Sequence, residues 1–182
     1  VHADSIVVYG NHIEEYLIGS GISRPKIFRA PHSIDNKIFD RLVLDQEKRD
    51  LREKLNLSAA KIVLYVGRLE ECKGLDYLIE AVAMIKDSDV CLLFIGTGSG
   101  RVDYEEQCKK KGIKFLFLDY LPNDTLYRYY AIADVFVLPS ITTKNFKEPW
   151  GVVVNEAMNQ GCPVVTTDAV GAAEGGLVQE GK

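Results

Sequence analysis

The chain has 182 residues, enough for one domain of ordinary size with a hydrophobic core of its own. Apolar residues make up 47% and charged residues 26%, with a net charge of −4. This balance reads as a soluble globular protein and argues against a nucleic-acid surface, so any anionic ligand must be met by local cations. No apolar run reaches the length of a membrane span, and the first residues do not read as a signal peptide. The four cysteines, Cys72, Cys91, Cys108 and Cys162, form no CxxC pair. They read as reduced thiols, and the expected location is the cytoplasm, including the cytoplasmic face of a membrane.

Taken in chain order, strands and helices alternate. Ser5 to Tyr9 predicts a buried strand, His12 to Ile18 a helix closed by Gly19 and Gly21, and Lys26 to Ala30 a second strand broken by Pro31. An irregular segment follows to about Phe39, then a charged helix over Asp45 to Leu55. From Lys61 the alternation becomes regular. Ile62 to Val66 predicts a strand, and Lys73 to Ile85 a helix with Leu75, Leu78, Ile79, Val82 and Ile85 at helical spacing. Val90 to Ile95 is a strand, Val102 to Lys111 a helix and Ile113 to Leu118 a strand. Thr125 to Ala133 is a helix with Asn123 or Asp124 as its expected cap. Val135 to Leu138 and Val164 to Thr167 complete the strands. Nearly all are continuous apolar runs, which predicts an α/β fold: a parallel Rossmann-like sheet with helices on both faces. Ligands of such sheets bind beyond the carboxyl ends of the strands. Three segments are expected: 1–30, a remnant of a preceding domain or an interdomain segment; 31–58, a linker with a first helix; and 59–182, the ligand-binding domain that carries the sheet.

The stretch Glu148-Pro149-Trp150-Gly151-Val152-Val153-Val154-Asn155-Glu156 carries the chemistry. Two carboxylates frame a Pro-Trp-Gly turn and an apolar run with the character of a buried helix. A helix starting near Gly151 would offer its free N–H groups as an anion site. Glu148 would lie in the loop before it, and Glu156 about one and a half turns inside. Carboxylates do not bind phosphate but do grip hydroxyls, so the spacing suggests a phosphate flanked by two sugars. The ordinary alternative is an acidic residue complementing the helix dipole and a second on a solvated face.

Other stretches carry weaker signals. Gly67-Arg68 through Lys73-Gly74 follows a strand and precedes a helix, placing two cations at the ligand end of the sheet. A lysine at a helix start is mildly unfavourable unless an anion receives it, which favours phosphate over a solvated loop. Gly96-Thr97-Gly98-Ser99-Gly100 lacks the spacing of a dinucleotide fingerprint and reads as a tight turn where a ligand lies close to the backbone. Asp87-Ser88-Asp89 has the form of a metal-sugar motif, yet it falls at the amino end of the sheet and reads as a turn. His2, His12 and His32 form no metal spacing, and Tyr127, Tyr129 and Tyr130 read as core packing.

In this order the landmarks resemble the carboxy-terminal, donor-binding domain of retaining glycosyltransferases of the GT-B fold, the group 1 family that includes glycogen and sucrose synthases. The matching stretches are Gly67-Arg68 with Lys73-Gly74, Ile95 to Gly98, Ala133 to Ser140, Glu148 to Glu156, and Gly161 to Val165. The resemblance runs from about residue 60 to 175. It implies a nucleoside-diphosphate sugar as donor, with Glu148, Arg68 and Lys73 as the catalytic group. Arg68 and Lys73 would neutralise the diphosphate, helped by backbone N–H groups at Gly151 and Val152. Glu148 would hold hydroxyls of the transferred sugar, Glu156 the ribose hydroxyls, and the backbone around Leu121 the base. Gly67, Gly98 and Trp150 complete the expected donor-binding set. The same resemblance implies no cofactor and no metal. It also implies a glycan or lipid acceptor held through an amino-terminal domain represented here at most by Ser5 to Ala30, and peripheral association of the full-length protein with a membrane surface. By that comparison the final strand and a helix crossing back are absent, and this stretch alone is expected to be inactive.

Two departures stand out. Asp119 replaces a glycine usual in the family, and His32-Ser33 replaces Asn-Gly in Pro31 to Asp35. A nucleotide-sugar epimerase of the same fold and a non-catalytic nucleotide-binding module are the alternatives, with a nicotinamide oxidoreductase further off.

Overall fold

The computed structural model describes residues 3–85 and 89–181. Its elements follow the predicted alternation: β1 (Ile6–Val8), α1 (Asn11–Gly19), β2 (Ile27–Arg29), α2 (Asn36–Phe39) and α3 (Asp45–Lys54). Then come β3 (Lys61–Val66), α4 (Leu75–Ala83), β4 (Val90–Ile95), α5 (Arg101–Lys111), β5 (Lys114–Leu118) and α6 (Asn123–Ile132). The chain continues through β6 (Val135–Leu138), α7 (Val152–Asn159), β7 (Val164–Thr166) and α8 (Gly171–Glu174). Asp87 and Ser88 lie outside the described residues, as does His2.

Two sheets form. β1 and β2 pair in parallel by themselves, while the main sheet has the order β5-β4-β3-β6-β7 with every pairing parallel. The central strands explain the unbroken apolar runs. Ile62, Leu64 and Tyr65 of β3, and Cys91, Leu92, Leu93 and Phe94 of β4, have no exposed surface. The helices divide into two packed groups, α4 with α5, and α2, α3 and α7 about α6, which cover the two faces. The order also reverses at β3. Strands β4 and β5 extend from it one way, and β6 and β7 lie on the other side. That reversal opens a crevice beyond the carboxyl ends of β3 and β6, where ligands of open α/β sheets bind.

Within 31–58, α2 and α3 pack on α6 and Phe39 is 2% exposed. Two local expectations need correction. Helix α6 starts after Pro122, with no side chain from Asn123 or Asp124 capping it. Pro122 sits at the cap in extended backbone, its ring fixing φ, and Asn123 and Asp124 fall inside the first turn. The helix expected from Lys73 begins at Leu75, since Glu71–Lys73 forms a separate 3-10 turn closed by Gly74 in the left-handed region.

Candidate functional site

The loops that the sequence singled out converge at the carboxyl ends of the strands. The loop after β3 carries Gly67 and Arg68, and the hydroxyl of buried Tyr65 donates to the Arg68 carbonyl at 2.6 Å, fixing the turn. The glycine turn after β4 lies directly against it. A Cβ on Gly96 would meet the Gly67 carbonyl oxygen at 2.0 Å, and one on Gly98 the Leu69 oxygen at 2.4 Å. At Gly98 the close approach of two protein loops by itself requires the missing side chain.

Between these loops, the loop after β5 and helix α7 is a cavity of about 250 Å³. Gly67, Arg68, Leu121, Asn123, Val153 and Glu156 are among its walls. A wider cleft of about 520 Å³ opens between α1 and residues 144–147, but no residue of the expected donor set lines it. Among the expected site residues, Gly67, Arg68, Leu121 and Glu156 thus meet in one place, at the crevice that the strand order creates. Asp119, the departure ahead of the base-contacting loop, has its carboxylate taken by the Arg101 guanidinium.

Helix α7 begins where the motif predicts. Gly151 is its cap, with φ 81°, and a Cβ there would come within 2.7 Å of Leu138 and 3.0 Å of Val170. Glycine is required on both counts, conformation and space. The first N–H groups of α7, at Val152 and Val153, have no intrahelical acceptor by the geometry of a helix start. Glu156 sits on the second turn, about 7 Å along the axis from the cap.

The two carboxylates are held differently. Glu148, 9% exposed, lies in the loop, with its backbone tied to Val170 and Gly171. Its Oε2 accepts from the Lys73 ammonium and from Ser140 Oγ at 3.0 Å. Lys73 is 8% exposed, and its ammonium also lies over the Phe146 ring, 4.9 Å from the centroid. The sequence placed Lys73 on the diphosphate, whereas the structure brings it to Glu148. The cause is a zipper of backbone contacts: Ile141 N–H donates to the Cys72 carbonyl at 3.0 Å, and Gly74 leaves room for the Pro139 carbonyl. Arg68, by contrast, is 64% exposed at the cavity edge and pairs with Glu70 at 3.0 Å.

Glu156, 6% exposed, accepts at Oε2 from the hydroxyl of Tyr130 at 2.6 Å. Burial pushes its carboxyl above the ordinary carboxylate value, and the Tyr130 hydrogen bond opposes that shift. Trp150, expected among donor-binding residues, is 3% exposed and lies against the α8 end at Gly175. Its indole N–H donates to Asn155 at 2.8 Å, so this side chain anchors the start of α7 to the core. Ser140 and Tyr130 were the residues that sequence reasoning missed. Tyr130 is also core, as read from its spacing, and nothing in a helical periodicity reveals which hydroxyl will reach a carboxylate on another helix.

Comparison with known proteins agrees with this fold. The family model described as glycosyl transferases group 1 matches residues 47–178. The chain belongs to that family. It is 36% identical over 140 residues, 75% of its length, to an uncharacterized glycosyltransferase of Methanocaldococcus jannaschii, covering 35% of that protein. It is 31% identical to the sulfoquinovosyl transferase SQD2 of Arabidopsis thaliana, with 93% of the chain and 31% of that protein covered. Anabaena HepE, solved with UDP and glucose, superposes with a TM-score of 0.85 at 25% identity, over 98% of this chain and 48% of that one. The sucrose-phosphate synthase of Thermosynechococcus elongatus does so with a TM-score of 0.78 at 30% identity, over 95% and 42%. The chain thus spans about a third of the length of these curated relatives and under half of these solved chains. HepE has also been solved with UDP-glucose. Among the described residues, no helix is long and apolar enough to cross a membrane, and no three His, Cys, Asp or Glu side chains cluster to hold a metal.

Proposed function

We propose that this chain is the donor-binding part of an enzyme that moves a sugar from a nucleoside-diphosphate sugar to an acceptor with retention of configuration. The acceptor is a glycan or a lipid, held largely by a second domain, and a lipid acceptor would bring the whole protein to a membrane surface. One observation carries the reading: a helix N-terminus at the sheet's switch point stands between two buried carboxylates, with an exposed arginine at the cavity edge.

In this arrangement the cavity takes the nucleoside, with the base beside the Leu121 backbone and the ribose hydroxyls on Glu156. The diphosphate lies against the start of α7 and Arg68. The free oxygen of Glu148 receives hydroxyls of the transferred sugar, and Lys73 holds that carboxylate while sharing its positive charge with the phosphate nearby. As the glycosidic bond to the donor breaks, negative charge grows on the departing diphosphate. Arg68 and the α7 N–H groups stabilise it without having to reorganise. No divalent ion is needed for that step, so a chelator leaves turnover unchanged.

A thermal-shift screen against UDP-, GDP- and ADP-sugars tests the proposal. A ligand at a hundred times its dissociation constant stabilises by about 2.7 kcal/mol, roughly 5–10 °C for a domain of this size. No shift with any nucleotide sugar, or a shift with a nicotinamide dinucleotide alone, would overturn it. The 182-residue chain is expected to bind nucleoside diphosphate yet transfer no sugar, checked by product formation from donor and acceptor.

A further inference from the structure

We infer that Tyr130 is a positioning residue for donor binding: its hydroxyl fixes the Glu156 carboxylate so that its other oxygen is aimed at the ribose. This rests on the ribose role proposed for Glu156. Tyr130 has no exposed surface, so its hydroxyl cannot turn to water for a partner. Its ring cannot swing either. Phe136 of β6 packs edge-on at 5.6 Å and Phe39 of α2 at 6.4 Å, holding it from two sides. The hydroxyl donates to Glu156 Oε2 at 2.6 Å, which leaves Oε1 for the cavity that Glu156 lines. Geometry settles the direction of donation, because an ionised carboxylate only accepts and a phenol at this depth cannot lose its proton. Burial and the neighbouring Glu156 charge push the Tyr130 phenol far above its ordinary value.

The same contact controls ionisation. Burial raises Glu156, and the Tyr130 hydrogen bond is the influence that lowers it. Among the described residues, Arg68 and Tyr120 line the same cavity, the Cys162 thiol acts on the Tyr130 end of the pair, β6 and β7 carry no charged residue, and Lys37 of α2 and Arg128 of α6 are exposed. Helix α6 thereby serves both ends of a nucleoside. Asn123 and Leu126 near its start line the cavity, and Tyr130 near its end holds the ribose carboxylate.

The test is Tyr130→Phe, a change that keeps the ring and deletes one oxygen. Calorimetric titrations of UDP and its 2′,3′-dideoxy analogue are compared in wild type and variant (GDP or ADP and their analogues if the screen selects another base). Wild type should prefer the intact ribose by tenfold or more. Tyr130→Phe should weaken UDP about tenfold while leaving the dideoxy analogue within twofold, and the acid limb of UDP binding should move to higher pH. Glu156→Gln should show the same lost preference with no acid limb, and adding Tyr130→Phe to it should change little further. If wild type does not discriminate between the two nucleotides, the ribose assignment of Glu156 fails and Tyr130 loses its role with it. If wild type discriminates and Tyr130→Phe keeps both the preference and the pH profile, the ribose assignment stands and the inference about Tyr130 is wrong. Equal weakening of both nucleotides with a lower melting temperature also overturns it, since that is what a purely structural tyrosine would give.

Discussion

Glu148 and Glu156 stand at the two ends of one motif, nearly equally buried, yet the protein holds them by opposite means. Glu148 sits in a loop and is neutralised by a buried ammonium, with the Ser140 hydroxyl completing its partners. Glu156 sits in a helix and is held by a neutral phenol, with no ion pair to it among the described residues, so its charge is directed but not cancelled. The difference teaches what each end can do. A neutralised pair is rigid, and breaking it strands a charge in the core. A carboxylate held by a hydroxyl keeps a net charge facing the cavity and responds to pH.

The largest effect should come from breaking the pair. Lys73→Ala leaves Glu148 buried without its cation and should cost about 3–5 kcal/mol, a fall in melting temperature of roughly 10 °C. Adding Glu148→Gln should recover much of it, because the stranded charge is gone; no recovery in a denaturation series would show that Lys73 matters through its packing. Next, Arg68→Ala should weaken nucleoside diphosphate by about 1.5–3 kcal/mol while leaving bare nucleoside and stability nearly unchanged, since its guanidinium is largely in solvent. Calorimetry with both ligands checks this, and equal losses would move the phosphate elsewhere.

Comparing the glutamates directly sharpens the contrast. Glu156→Gln should weaken nucleoside diphosphate and sugar nucleotide alike, whereas Glu148→Gln should leave the plain diphosphate within about threefold, under 1 kcal/mol. The smallest effect is a sign. Because the folded-state value of Glu156 is raised, the folded protein holds a proton that the unfolded chain has already lost above pH 4.5. Stability should therefore fall as pH rises from there through the raised value, while affinity for the ribose rises. Glu156→Gln should flatten that part of the stability profile. Thermal melts across the range decide it: parallel profiles for wild type and variant would mean that Glu156 is not perturbed.

Much of the fold was legible before any coordinates, because continuous apolar runs alternating with amphipathic helices admit few arrangements besides a parallel sheet covered on both faces. Each strand of the main sheet stands within a residue or two of its predicted place. Helix α8 was not legible, since Gly171 to Glu174 is one turn with no periodicity to read. At the site, the spacing of Glu148, Gly151 and Glu156 was readable because it is local: one loop, one cap and one helix fix it. The burial of Trp150 and the loop contact behind Gly98 were not, because each is decided by a neighbour distant in the chain.

The sequence by itself determined the strands, the helix start at Gly151 and the carboxylates on either side of it. These follow from residue type and short-range geometry. Only the tertiary structure decided which partner each carboxylate received. Lys73 reaches Glu148 across 75 positions and Tyr130 reaches Glu156 across 26, each brought there by the packing of separate elements. A buried charge takes whichever donor the fold delivers, and that delivery depends on the order of strands in the sheet.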